Sequence, residues 1–309
     1  MTAVRQNWTD IFYTARDGLR LYARHYAAAG SRRRAVLCLP GLTRNCRDYH
    51  DLASVLSDPR GHRRDVYTLD YRGRGRSEHD GDGKSYTVMT ELGDVLDFMA
   101  LSGLNDVAVV GTSRGGIIAM ARATMRPAAI GAAVLNDVGP VLERDGLARI
   151  IAYVGRIPLP GTWAEATHLV RKLNERAFPN ETDATWEAVA RQQFNDEDGH
   201  PAPGYDPKLA KALSLTDGPA PALWPQFEAL RRVPLLAIRG VNSDILSAAT
   251  LTEMQRRHPD CEAVTIPEQG HAPLLKDQAS IGAIYQFLLT HDRAIALETE
   301  PRTERPLPV

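Results

Sequence analysis

Val107-Ala108-Val109-Val110-Gly111-Thr112-Ser113-Arg114-Gly115-Gly116 is the stretch that decides how this sequence is read. Residues 107–110 form a short apolar run without polar alternation, as a strand covered on both faces does. A helix-like stretch, 116–125, follows at once. A strand must therefore become a helix within a residue or two, with Ser113 on the turn. So tight a turn strains the serine backbone and pushes its Oγ outward. It leaves no room for side chains on either flank, which Gly111 and Gly115 answer. The pattern marks Ser113 as a candidate nucleophile; the plain alternative is a glycine-rich turn carrying an incidental serine.

Working outward, residues 36–39, 66–69, 132–135, 235–238 and 263–266 repeat the compact apolar run. Between them, Val88, Leu92, Val95, Leu96 and Met99 recur at helical spacing, as do Ile281, Ile284, Tyr285 and Leu288. Such alternation predicts an α/β fold with a mostly parallel, doubly wound sheet and right-handed crossovers. Residues 11–15 and 19–26 flank Asp17-Gly18, an antiparallel hairpin signal. The rhythm breaks between Asn136 and Arg232, where helix-like patches at 147–154, 164–173 and 185–194 precede a proline-rich run, 201–225. A structureless loop of that length is improbable in a compact domain. The expectation is a helical insertion over the carboxyl edge of the sheet, where ligand crevices form; the alternative is that it thickens one flank. The chain divides accordingly into core residues 1–139, a helical cap 140–228, further core 229–292, and a polar tail 293–309 expected to be mobile.

In a parallel sheet the strand ends converge on one edge. A serine hydroxyl is a poor nucleophile near neutral pH and needs a base within hydrogen-bond reach, itself held by a third group. For a strand–turn–helix elbow the chain order is serine, acid, histidine. His271 follows the last candidate strand, on Gly270-His271-Ala272-Pro273. Asp244 follows the run at 235–238 after a short turn and is the preferred acid; Asp137, also at a strand end, is the alternative.

With these residues in place, the sequence resembles the α/β-hydrolase superfamily across roughly residues 10–292. The likeness rests on Gly111–Gly115, on Arg239-Gly240 with Ser243-Asp244, on Gly270-His271-Ala272-Pro273, and on Asp70-Tyr71-Arg72-Gly73-Arg74-Gly75-Arg76-Ser77, which looks like that family's D-x-R-G-x-G-x-S loop. The resemblance implies the α/β-hydrolase fold: a sheet of about eight strands, a helical cap inserted after the sixth, and in many members no cofactor. It also implies an oxyanion hole made by the backbone N–H groups of Leu42, on the Pro40-Gly41-Leu42 loop, and Arg114. Some members take their acid from the strand that ends here at Asp137.

Composition narrows the function. The chain has 309 residues with 37 basic against 38 acidic, a net charge of −1, which speaks against nucleic-acid or membrane-surface binding. Three scattered cysteines make neither a disulfide framework nor a thiolate cage, and fit a reducing, cytoplasmic setting. Without a His-Glu-x-x-His, paired CxxC or Walker A pattern, neither a metal nor a nucleotide cofactor is expected. The expected activity is serine hydrolysis of a small-molecule ester or lactone through an acyl-enzyme. Arg44 and Arg72, beside the presumed crevice, are candidates to meet a substrate carboxylate, which keeps carbon–carbon hydrolysis of a dicarbonyl acid as the second reading. Trp163 and His168 are candidate substrate contacts from the insertion. A ligand receptor on the same fold is the third reading.

Overall fold

Alternate residues of the apolar runs face opposite ways, and here both ways lead into a core. The protein is described from a computed structural model, which covers residues 7–61, 63–126, 129–212 and 221–292. Leu37, Leu39, Val107, Val109, Ala133, Leu135, Leu235 and Ala237 pack into one cluster, and their neighbours Val36, Cys38, Ala108, Val110, Ala132, Val134, Leu236 and Ile238 into another. This two-sided burial explains why the runs show no polar alternation.

The strands are β1 (Thr9–Thr14), β2 (Arg20–Tyr26), β3 (Val36–Leu39), β4 (Val66–Asp70), β5 (Val107–Thr112), β6 (Ile130–Asn136), β7 (Asn195–Glu197), β8 (His200–Ala202), β9 (Leu235–Gly240) and β10 (Cys261–Ile266). Eight of them form the main sheet in the order β1-β2-β4-β3-β5-β6-β9-β10. β1 and β2 are the expected hairpin, and β2 runs antiparallel to β4; the pairings from β4 through β10 are parallel. The expected α/β sheet of about eight strands is therefore present.

Helices α1 (His50–Ser57), α2 (Val88–Leu101) and α3 (Arg114–Met125) follow β3, β4 and β5 in the chain. α4 (Arg144–Tyr153), α5 (Trp163–Asn174) and α6 (Asp183–Gln193) lie between β6 and the small β7–β8 hairpin, and α7 (Trp224–Glu228), α8 (Ala248–Arg257) and α9 (Gln278–Thr290) complete the α-helices among the described residues. α2, α3 and α8 supply Leu92, Phe98, Ile118, Met120 and Met254 to one face of the sheet. α1 and α9 supply Leu52, Leu56, Ile284, Phe287 and Leu288 to the other. Burying each such side chain contributes about 1.5–3 kcal/mol.

The segment between β6 and β9 has a small core of its own, in which Ala166, Val170, Phe178, Trp186, Val189 and Ala190 pack together. Its helices begin where sequence chemistry starts them. Thr162 and Thr182 each accept a hydrogen bond from the N–H three residues ahead, satisfying a donor that has no intrahelical partner. The β7–β8 hairpin was not anticipated, since strands of three residues carry too little pattern to read. The expected tail, 293–309, and part of the proline-rich run, 213–220, lie outside the described residues.

Candidate active site

Ser113 joins β5 to α3 with φ 50° and ψ −113°, a backbone conformation that a side-chain-bearing residue adopts only under strain. The flanking glycines are required by contact. A Cβ on Gly111 would stand 2.6 Å from the backbone of Gly115, and one on Gly115 only 2.0 Å from the Leu39 carbonyl oxygen. The elbow thus closes by packing α3 directly onto β3.

His271, on the loop after β10, meets Ser113 with Nε2 2.9 Å from Oγ. Its Nδ1 lies 2.8 Å from Oδ2 of Asp137, at the end of β6. Asp137 is fully buried and His271 nearly so, with side-chain exposures of 0% and 8%. The carboxylate is held by two further donors, the Gly240 N–H at 2.8 Å on Oδ1 and the Ser243 hydroxyl at 2.5 Å on Oδ2. These three neighbours fix both oxygens and leave one lone pair aimed at the imidazole.

This placement corrects the expected acid. Asp244 does not reach His271; it forms a forked ion pair with Arg149, Nε to Oδ2 at 2.5 Å and Nη2 to Oδ1 at 2.8 Å. The loop after β9 presents Ser243, one residue earlier, to the site. Asp137 and Asp244 both satisfy the serine–acid–histidine order, so chain order could not separate them. The alternative, Asp137, is the residue that the fold brings to His271.

The N–H groups of Leu42 and Arg114 have no acceptor among the described residues, and Leu42 lies on the wall of the cavity that Ser113 enters. Arg74, fully buried, donates from Nε to the Leu42 carbonyl at 2.9 Å and pairs through Nη1 with Glu91 at 2.8 Å. Glu91 pairs in turn with the Arg114 side chain at 2.7 Å. One carboxylate therefore ties the two backbone donors to a common frame. Sequence reasoning missed this brace. Its signal was Glu91 itself, a charged residue on the apolar stripe of α2 beside Val88, Leu92 and Val95, where burial demands a partner.

The cavity has a volume of about 220 Å³. It is walled by strand-end loops, including Gly41–Arg44 and His271–Leu275, and from the inserted segment by Arg149, Ile150, Tyr153, Phe178, Trp186 and Gln193. Residues of α4, α5 and α6 thus face the strand-end loops across the cavity that Ser113 enters. Stitches hold it there: Asn45 Nδ2 and Arg47 Nε both donate to the Gln192 carbonyl, at 2.8 and 2.9 Å.

Of the expected substrate contacts, Arg44 lines the cavity, with its guanidinium forked onto Asp48 and bonded to Gln193 Oε1. Arg72 does not. It is 2% exposed and turned back into the core, where Asp94 takes Nε and Nη2 at 2.7 and 2.6 Å and Asp17 takes Nη1. Trp163 packs against the insertion's own core beneath Arg191, and His168 is on the exposed side of α5; neither lines the cavity. Among the described residues no group of three or more His, Cys, Asp or Glu side chains could hold a metal ion. No described helix is long and apolar enough to cross a membrane.

Comparisons with known proteins bear on the fold and the family. The chain is 34% identical over 285 residues to the 3-hydroxybutyrate-oligomer hydrolase of Cupriavidus necator, covering 87% of this chain and 93% of that protein. It is 27% identical to the N-formylmaleamate deformylase of Pseudomonas putida, over 89% of this chain and 94% of the relative. Among solved structures, an alpha/beta hydrolase from Novosphingobium aromaticivorans superposes with a TM-score of 0.85 at 40% identity, covering 92% of this chain and 98% of that one. Residues 36–281 match the sequence profile of the alpha/beta hydrolase family, and the protein belongs to that family.

Proposed function

We propose that the protein is a serine hydrolase that cleaves a small carboxylic ester through an acyl-enzyme. The observation that carries this reading is the hydrogen-bonded chain Ser113–His271–Asp137 at an open cavity. His271 takes the Ser113 proton as Oγ attacks the ester carbonyl, and Asp137 holds the imidazole's tautomer and stabilises the imidazolium. The N–H groups of Leu42 and Arg114 receive the oxyanion, at about 3–4 kcal/mol per donor. His271 then protonates the leaving alcohol and activates the water that releases the acid. The helices α4, α5 and α6, within the expected cap, shape the pocket.

The small cavity favours a short acyl or hydroxyacyl ester over a long-chain lipid. The name of the Cupriavidus relative supplies the first substrate to try, a short 3-hydroxybutyrate oligomer. The test is mass spectrometry of enzyme quenched during turnover of that oligomer and of p-nitrophenyl acetate. An acyl adduct on Ser113, with turnover lost in Ser113→Ala, is the expected result. Hydrolysis at near wild-type rate by Ser113→Ala would sink the reading.

A further inference from the structure

Because Asp137 meets His271, Asp244, on the loop after β9, is left with another task. Among the described residues its side chain is hydrogen-bonded by Arg149, on α4, and Arg149 lines the same cavity as Ser113. The contact is built from both sides. α4 docks on the loop that carries Asp244, with the Glu143 N–H donating to the Ile245 carbonyl at 3.0 Å. Gly146, three residues before Arg149, lets the backbones come so close that a Cβ there would stand 2.2 Å from the Asp244 carbonyl oxygen.

The fork occupies the Nε and Nη2 edge of the Arg149 guanidinium and leaves the Nη1 donors outside it. The neighbouring arginine differs: Asp48 and Gln193 engage all three nitrogens of Arg44. The Tyr153 phenol, one turn beyond Arg149 on α4, lies beside the guanidinium and also lines the cavity. Side-chain exposures of 43% for Arg149 and 37% for Asp244 put the pair where a solute can reach it. A free arginine at a pocket mouth would spread over many rotamers. A bidentate carboxylate behind it fixes the planar group, so less order is lost when it grips a second carboxylate in front. Burial works to raise the Asp244 pKa, but the hydrogen bonds and charge of Arg149 outweigh it and hold the acid below the usual carboxylate range. The fork therefore stays charged through neutral pH.

We propose that Arg149, positioned by Asp244, binds a carboxylate of the substrate, so that the enzyme prefers esters carrying a free acid group. This deepens the ester-hydrolase reading and rests on it. Arg149 is the binding residue, and Asp244 is a positioning residue that acts through it.

The test compares two matched pairs of esters, each with the acid free or methyl-capped. One pair places it on the acyl side (p-nitrophenyl hydrogen glutarate) and the other on the alcohol side (the 3-hydroxybutyrate dimer). In at least one pair the wild type is expected to favour the free acid in kcat/KM. Arg149→Met should cut that preference by about 10- to 100-fold, the range of a hydrogen bond to a charged group. Asp244→Asn should cut it less, chiefly through KM, and Arg149→Lys should restore part of it. Equal preference in wild type and Arg149→Met for both pairs would overturn the proposal. A second measurement separates this from failure of the catalytic reading. Glutarate and 3-hydroxybutyrate should raise the melting temperature of the Ser113→Ala protein and do so less when Arg149→Met is added. If that shift survives while no ester is turned over, the acyl-transfer reading falls and the carboxylate site stands; if turnover is present and the shift ignores Arg149, the reverse holds.

Discussion

Replacing Asp137 with asparagine tests the assignment of the acid most sharply, because the buried contacts leave the new side chain no good orientation. In the native site Oδ1 accepts from the Gly240 N–H, and Oδ2 accepts from Ser243 and faces His271 Nδ1. If the asparagine oxygen stays on Gly240, its NH₂ group faces the ring. Nδ1 must then accept, the proton sits on Nε2, and Ser113 has lost its base. If the amide flips, the NH₂ group is driven against the Gly240 N–H, two donors face to face in a site with 0% exposure. The first outcome corresponds to a loss of about 10⁴ in kcat, or about 5.5 kcal/mol, as for the same change in a serine-protease triad. The second costs about 1–3 kcal/mol of stability for an unsatisfied buried donor. The assay is steady-state hydrolysis of p-nitrophenyl acetate by Asp137→Asn and Asp244→Asn side by side, with urea unfolding of each. Asp137→Asn should fall by about four orders of magnitude, while Asp244→Asn, whose side chain is paired with Arg149, should lose less than about tenfold. Comparable losses in the two variants, or Asp137→Asn within tenfold of wild type, would refute the assignment.

Further outcomes follow from the same contacts. Arg74→Met removes the donor on the Leu42 carbonyl and half the compensation of Glu91; unfolding should be easier by about 3–5 kcal/mol, with kcat reduced more than KM is raised. Gly115→Ala should destroy the elbow and abolish activity, since the added carbon meets backbone at 2.0 Å. Gly282→Ala on α9, with nothing nearer than Gln278 Nε2 at 3.7 Å, should fold normally and gain up to about 1 kcal/mol in urea unfolding. Burial pushes the Cys38 and Cys46 thiols up, and burial aided by Asp260 and Glu262 lifts Cys261 to about 12. A raised pKa means less thiolate, on the order of 10⁻⁴ at pH 8 for Cys261. Native protein should give almost no colour with a disulfide thiol reagent in minutes, and all three thiols should react after denaturation; a fast native phase would contradict this.

Features that a local rule enforces are readable along the chain. A both-face-buried strand must be apolar throughout, so β3, β4, β5, β6 and β9 were legible as runs. A turn that brings Gly115 onto Leu39 admits no side chain, so the elbow and Ser113 were legible as spacing, and His271 as the histidine at the last strand end. Which carboxylate meets that histidine, and that Arg149 rather than Arg72 joins Arg44 at the cavity, depends on how distant segments close together. Asp137 and Asp244 are alike in type, order and position at a strand end, and Arg72 and Arg149 are alike in charge. They part company through angstrom-scale choices made far along the chain: one residue of register in the loop after β9 sends Ser243 rather than Asp244 to the triad, and Asp17 and Asp94 turn Arg72 inward. Local pattern carries backbone conformation and burial, while the partner of a charged side chain is set by which distant elements close on it.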